Sequence, residues 1–572
     1  MGRVAAVIAC YVGAALIRQT TAQSTPIPVV GVKTGIDPRT GHRPARQNIN
    51  NLYALGGPHW DLYVLALSAF QEVNETDPLS YSSIAGIHGE PYSAWNGVGH
   101  VPGDPKNTGY CPHGELLFPT WHRAYLALFE QTLVSHAVRI ADRYHPSQSP
   151  TYKGAAQTLR IPFWDWGSQA RLPTAATSEN ITVNGPEGTL TIPNPLYKYR
   201  FQRPSVLSQF GPDRPDTEGC GRAGSNNVTE SDESMDRIAR TLSSQVLAIG
   251  SVDEKQYDVF IRTTRFENMA YSHTGGPSFE SPHNSVHNNA GCGKTFAAIA
   301  WASFDPLFML HHANVDRYFA MWQAINYNSQ MFNSVDTSRG MLGTASGSNV
   351  TVSTPLKPFY GQSLTLHTSG SVTQTRDFGY TYPEIDDWSQ GPEELANYVR
   401  AQVNLLYDRS TDVSPSRRRG LRERQGYAEP PLAQRRYYSA EIQVDRCDVP
   451  LPCTLNLMLN GSVVGRMALL AMPRVGVASA DIVLTDLKKG DQNIDGMGPD
   501  EAVKYLTENI EIEMRLPNNT VAQIGNAPSL KLEIQDMTYN AAVSNSSFPC
   551  LGTVRRWPVP VRRFRGYGRS SR

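Results

Sequence analysis

Cys111-Pro-His113-Gly-Glu-Leu-Leu-Phe118-Pro-Thr-Trp121-His122-Arg123 leads into an apolar run of helical spacing, Trp121 to Ile140. Phe304-Asp305-Pro-Leu-Phe308-Met-Leu-His311-His312-Ala-Asn-Val-Asp316-Arg317 lies in a second such run, Ala297 to Ile325. Apolar residues at this spacing mark core helices. Working outward, Gly86-Ile-His88-Gly precedes the first stretch, and Glu280-Ser-Pro-His283-Asn284-Ser-Val-His287-Asn288 precedes the second. The chain holds 14 histidines, and eight of them fall within residues 88–122 and 283–312, a clustering that chance does not produce. His100, in a glycine-rich loop, reads as solvated.

His283 and His287 are four apart, so on a helix both rings leave one face and can chelate one ion; two unrelated surface histidines are the competing reading. A zinc protease carries Glu directly after the first histidine of such a pair, and here that position is Asn284. Imidazole-only ligation suits copper, zinc, iron or nickel, and two-zinc hydrolases add bridging carboxylates that have no counterpart at ligand spacing. The histidines of these two stretches therefore read as an all-histidine metal site with room for two ions.

At this point the residues resemble the tyrosinases and related polyphenol oxidases with type-3 copper, especially the secreted fungal ones. His113-x4-Phe118-Pro-x-Trp121-His122-Arg123-x2-Leu126-x3-Glu130 is similar to the whole first copper signature, and Asp305-Pro-x-Phe308-Met-x2-His312-x3-Asp316 to the whole second. The likeness spans roughly Val30 to Asp387 and is looser beyond. It implies a mainly α catalytic domain, a four-helix bundle around a dicopper site with long loops. Two copper ions would be the cofactor and dioxygen the co-substrate. His88, His113 and His122 would hold the first ion and His283, His287 and His312 the second, with His311 and Asp316 behind the ligands. The reverse assignment of the His311-His312 pair is the alternative.

Cys111 matches the family's Cys-x-His thioether, which would fix His113 covalently; an ordinary buried thiol, or a disulfide with Cys220 or Cys292, competes with that reading. A Cys220–Cys292 pair would leave Cys111 free for the link. Arg46 with Tyr380 and Tyr382 resembles the family's arginine and Tyr-x-Tyr pair that closes the catalytic domain, simple core packing being the alternative. A phenol, with a pKa near 10, needs a base before it can meet the metal at neutral pH. Glu280 and Asn284 match the pair that holds and activates a water for this step. Helix capping by Glu280 and a merely solvated Asn284 are the alternatives.

At 572 residues, 40% hydrophobic, the chain exceeds one ordinary domain. Fifty-two basic against fifty-two acidic residues give a net charge of zero, which argues for neither nucleic acid nor an anionic membrane as partner. Residues 1–22 have the layout of a secretory signal: Arg3, an apolar run Val4 to Ile17, then small and polar residues up to Ala22. That run is shorter than a membrane span, and no later stretch qualifies. Seven Asn-X-Ser/Thr triplets, at Asn74, Asn180, Asn227, Asn349, Asn460, Asn518 and Asn545, fit secretion and glycosylation. Six cysteines remaining beyond the signal are too few for a disulfide scaffold.

The organisation that follows is a catalytic domain over 23–390 and a helix with a basic linker over 391–436. A C-terminal β-rich domain, read as a β-sandwich, covers 437–554, and a basic tail covers 555–572. Period-two runs such as Ala440-Glu-Ile442-Gln-Val444 and Leu530-Lys-Leu532-Glu-Ile534 carry the β assignment. By resemblance the C-terminal domain would shield the copper site in a latent enzyme until a protease cuts at Arg417-Arg418-Arg419 or Arg435-Arg436; a permanent charged spacer is the alternative. The expected activity is hydroxylation of monophenols to o-diphenols and their oxidation to o-quinones, in melanin or specialised-metabolite formation. A diphenol-only catechol oxidase, or a haemocyanin-like oxygen carrier using the same histidines, are the competing functions.

Overall fold

The computed structural model describes residues 25–560 except 170, 204–205, 207–208, 211–251, 273–274, 292–294, 409–434, 485–486, 490–491, 495–496, 517–519 and 525–526. Residues 1–22, expected to be a secretory signal, and Cys220, Cys292, Asn227, Asn518 and Arg417 to Arg419 lie outside the described residues. The principal helices are α1 (Gly57–Gln71), α2 (Tyr81–His88), α3 (Phe118–Ala141), α4 (Val252–Arg262), α5 (Glu280–Gly291), α6 (Leu307–Ile325), α7 (Pro392–Tyr407) and α8 (Pro499–Asn509).

Helices α3 and α6 form the centre, as the apolar runs around His122 and His312 require. Every residue of α6 is buried, and α3 buries most of its length against α1 and α6. A helix buried on nearly every face belongs inside a protein, and these two are walled in by others. Both start where proline is tolerated, because the first turn needs no N–H partner. Pro119 stands in the first turn of α3, and Asp305 Oδ1 accepts the Leu307 N–H at 3.0 Å to open α6. Helix α7 belongs to this core through Leu395, Val399, Val403 and Tyr407, so the helix grouped with the linker by sequence is part of the helical body.

Beneath the site runs a buried ion network. Asp316, one turn after His312, accepts from Arg123 Nε at 2.6 Å, Arg46 Nη1 at 3.2 Å, and the hydroxyls of Tyr380 and Tyr382 at 2.5 and 2.7 Å. Arg46 also binds Glu130 at 2.9 Å and stacks 3.6 Å over the Tyr380 ring. Asp316 thus ties α3 and α6 together through arginines and tyrosines, and it bonds to no ligand imidazole.

The C-terminal region is an antiparallel sandwich with its own core. One sheet runs β4 (Val477–Val483), β1 (Arg435–Asp445), β6 (Lys531–Asn540), with β7 (Arg555–Pro558) and Cys550–Leu551 both on β6. The other runs Val521–Ala522, β5 (Ile510–Arg515), β2 (Cys453–Leu459), β3 (Ser462–Leu469). The alternation predicted from sequence is what buries Ala440, Ile442 and Val444 of β1 against Leu455, Leu457 and Leu459 of β2.

Two boundaries move. Arg435 and Arg436 are not linker: they pair with Tyr539 and Thr538 inside the sheet, and Arg436 meets the buried Asp536 at 3.2 Å, which removes this pair as an exposed cleavage site. Arg555 and Arg556 are not free tail either, because Asp536 and Glu441 give each a carboxylate partner and so hold β7 in the sheet. Asn74, Asn180, Asn349, Asn460 and Asn545 all occupy exposed positions. No helix among the described residues is long and apolar enough to cross a membrane.

Candidate metal centre

Four helices bring five of the six histidines together: His88 ends α2, His122 stands in the first turns of α3, His283 and His287 lie on α5, and His312 on α6. His113 comes from the turn before α3. All six are at most 5% exposed. The turn is tight enough to need glycine: a Cβ on Gly109 would stand 2.0 Å from the His88 carbonyl oxygen, so only hydrogen lets this segment pack on the end of α2.

The ring orientations are fixed from behind. His88 Nδ1 donates to Ile299 O at 3.0 Å, His122 Nδ1 to Phe118 O at 2.7 Å, and His287 Nδ1 to Phe296 O at 2.7 Å. His283 Nδ1 donates to Asn284 Oδ1 at 2.9 Å. A carbonyl oxygen only accepts, so each of these nitrogens carries the proton and each Nε2 keeps its lone pair. Burial, with further charge from neighbouring rings, keeps the imidazoles neutral: the pKa of His122 falls to about 3 and that of His287 to about 4, each partly offset by its carbonyl partner.

The freed lone pairs converge. His312 Nε2 lies 3.3 Å from both His283 Nε2 and His287 Nε2. Two nitrogens held by one ion at the usual metal–imidazole length of about 2.0 Å sit about 3.3–3.5 Å apart, so the trio fits a single ion. His88 Nε2 and His122 Nε2 are buried with no hydrogen-bond partner, which is costly unless a cation takes the lone pair. The His122 and His312 rings stack at 4.5 Å, bringing the two trios face to face.

His311 sits on the far side, its ring parallel to His283 at 5.0 Å and 5.7 Å from Trp166. One of its nitrogens also falls within 4.8 Å of a nitrogen of each of His283, His287 and His312, yet neither His311 nitrogen forms a hydrogen bond. His311 packs behind His283, and His312 faces the opposite trio. Cys111 is unpaired and half-buried, with Sγ within 4.8 Å of ring nitrogens of His88 and His113. His100, though exposed, is not merely solvated: it bonds Asp104 at 3.0 Å.

Glu280 is 1% exposed at the start of α5, and it does not cap its own helix. One oxygen accepts the Gly114 N–H at 2.7 Å and the other the Ser272 N–H at 3.3 Å. Burial raises its pKa above the ordinary carboxylate range, and Arg446 with the two amides only partly offsets this. Glu280 therefore staples α5 to the turn beside His113 while remaining a proton acceptor with lone pairs to spare. Asn284 orients His283 with its oxygen and keeps its amide N–H groups.

Sequence reasoning expected the C-terminal domain to shield the site but named none of the residues that do so. Met472 and Pro473, between β3 and β4, line one cavity with His88, Cys111, His113 and Glu115. Pro473 Cγ stands 3.2 Å from where a Cβ on Gly114 would be, a position whose φ of +67° also suits glycine. Arg446, after β1, is buried facing Glu280 and His113. The cavity holds about 30 Å³, enough for one or two waters and far below the roughly 300 Å³ at which small-molecule pockets begin. No local pattern in the sequence pairs a Met-Pro loop with a turn more than 350 residues earlier.

A family model described as the common central domain of tyrosinase matches residues 78–325, which include all six histidines. A tyrosinase of Podospora anserina is 34% identical over 409 residues, covering 67% of this chain and 69% of the relative. A crystal structure of latent and active mushroom tyrosinase superposes with a TM-score of 0.76 at 21% identity, over 93% of this chain and 98% of that one. The holo-protyrosinase of Aspergillus oryzae does so with a TM-score of 0.67 at 20% identity, over 93% and 97%. With neutral imidazoles in two facing trios and that likeness across two thirds of its length, the chain belongs to the tyrosinase family, whose cofactor is a pair of copper ions.

Proposed function

We propose that this protein is a secreted, latent tyrosinase that hydroxylates monophenols to o-diphenols and oxidises these to o-quinones. Oxidation of phenols at a type-3 copper pair is the family's chemistry. His88, His113 and His122 would hold one ion, His283, His287 and His312 the other, and the pair supplies the redox chemistry with dioxygen. The residues themselves orient, exclude water and move a proton. Ile299, Phe118 and Phe296 carbonyls and the Asn284 amide aim four of the rings.

The observation that carries the monophenol reading is Glu280. It is a buried carboxylate of raised proton affinity, anchored by the amide beside His113 and three residues before His283. A base of that affinity is better matched than an ordinary carboxylate to a phenol proton. The Asn284 amide N–H groups would hold the water through which the proton passes. Cys111 would close its thioether onto His113, its S–H and one ring C–H being given up in a two-electron oxidation by the dioxygen that the site handles.

Latency rests on the small, covered cavity, from which a phenol ring is excluded while Met472 and Pro473 remain in place. A protease acting at Arg417-Arg418-Arg419 would release the cover, and the exposed sequons fit passage through the secretory pathway.

The test is copper-loaded protein cut with trypsin and assayed on L-DOPA and tyrosine. Turnover of both supports the proposal; turnover of L-DOPA alone makes the protein a catechol oxidase. Reversible oxygenation without turnover makes it an oxygen carrier.

A further inference from the structure

The seam between the helical core and the sandwich holds an unbalanced charge. Arg262 on α4 binds Asp258, one turn earlier, through Nη1 at 2.7 Å and reaches across the seam to Asp481 on β4 through Nη2 at 2.9 Å. The three side chains are 11%, 4% and 0% exposed. Tyr437 on β1 donates its hydroxyl to the other oxygen of Asp258, and Arg262 also donates to Gln535 Oε1 of β6 at 3.2 Å. Asp481 accepts no directional hydrogen bond; its contact with Arg262 is purely ionic.

The other buried carboxylates of β1 and β6 have counter-ions of their own. Asp536 of β6 is bound by Arg436 and Arg555, and Glu441 of β1 by Arg556 and the Gln535 amide. Two carboxylates therefore share a single guanidinium in a buried place, a net charge of minus one that a single proton would cancel.

We propose that docking of the sandwich onto α4 takes up one proton, at Asp258, so that the seam is tightest in mildly acidic solution and loosens as pH rises. Apart, Asp258 is free of the charge that Asp481 brings. Together, burial and that neighbouring charge favour its protonated form. The Asp258 carboxyl is accordingly held above its ordinary range, by burial first, with the charge of Asp481 adding and Arg262 opposing. The sign follows: a group that binds its proton more tightly when docked favours docking at low pH, and that contribution is lost as pH rises through the docked value. Where activity is concerned the proposal rests on the sandwich being the cover; the docking itself is measured separately from phenol oxidation.

The test is hydrogen exchange on the full-length chain between pH 5.5 and 8, corrected for intrinsic amide rates. Ser479 N–H, which donates across the seam to Ser272 O at 3.2 Å, reports opening, and Leu457 within the sandwich controls for global unfolding. The wild type is expected to lose Ser479 protection as pH rises, by up to about tenfold per pH unit for one proton. Asp481→Asn, which keeps the shape and removes the charge, should hold high protection with no slope, and Asp258→Asn provides the same reading should the first variant not fold. A flat wild-type profile, a wild-type slope of opposite sign, or a slope kept in the variants overturns the proposal. Absence of phenol oxidation with the slope intact would sink only the enzymatic reading.

Discussion

Glu280 accepts the backbone N–H of Gly114 at 2.7 Å, so the helix carrying His283 and His287 is pinned to the turn carrying His113 by the side chain proposed as the base. One carboxylate serves position and proton transfer together, and the two uses separate by mutation. Glu280→Gln keeps an oxygen for the Gly114 amide and loses the basic group. We expect kcat/KM for monophenols to fall by about a hundredfold, as for loss of a positioned base, with diphenol oxidation changed by less than about tenfold. Steady-state kinetics on tyrosine and L-DOPA checks this, and equal losses would leave Glu280 only its stapling role.

The same carboxylate sets a pH dependence. Its proton affinity is raised by burial, so the basic form appears only above the ordinary carboxylate range. Monophenol hydroxylation should therefore decline on acidification earlier than diphenol oxidation does. Parallel pH–rate profiles of the cut enzyme would show the offset, and superimposed acid limbs would count against it.

His311 and His312 are neighbours with different roles. His312 Nε2 meets two other ring nitrogens at 3.3 Å, whereas His311 is stacked behind His283. His312→Ala should leave about one copper per chain after dialysis, while His311→Ala should keep two and lose stability of the order of 2–5 kcal/mol from the buried cavity. Metal analysis and urea unfolding separate the two outcomes. Loss of copper from the His311 variant alone would reverse the assignment.

Asp316 predicts acid sensitivity of the fold. Burial by itself would raise its pKa, but Arg123, Arg46 and the two tyrosine hydroxyls outweigh burial and lower it. A depressed carboxylate stabilises the fold above its unfolded value and loses that contribution as pH falls through the folded one. Asp316→Asn, leaving Arg123 and Arg46 short of a counter-charge, should cost about 3–5 kcal/mol at neutral pH and less in acid. Urea denaturation at several pH values checks both the size and the trend.

The histidine centre was legible because its information is local. Spacing of four places His283 and His287 on one face, and His122 Nδ1 finds the carbonyl of Phe118, four residues earlier on the same helix. The sandwich was legible for the same reason, since a period of two is written within each strand. Shielding by the C-terminal domain was expected from resemblance alone; the residues of the cover and the seam were not legible, because Pro473 against Gly114 and Asp481 against Arg262 join residues whose meeting depends on how two finished cores dock. Arg436, Arg555 and Arg556 were misplaced because a run of arginine looks solvated until the buried carboxylates opposite, Asp536 and Glu441, are known.

The cover predicts selection by size. A cavity of about 30 Å³ beside His88 and His113 admits water-sized ligands but no aromatic ring. In the uncut, copper-loaded chain azide should reach the metal and change its optical spectrum, whereas a phenolic inhibitor should not. After trypsin treatment both should. Met472→Ala, which removes most of one wall without touching a ligand, is expected to give the uncut chain partial phenol oxidation, rising by at least about tenfold over the uncut wild type if the wall is what excludes the ring. Phenol turnover by the uncut wild type equal to that of the cut enzyme would mean that substrate enters by another face and that Met472 and Pro473 merely rest on the turn they cover.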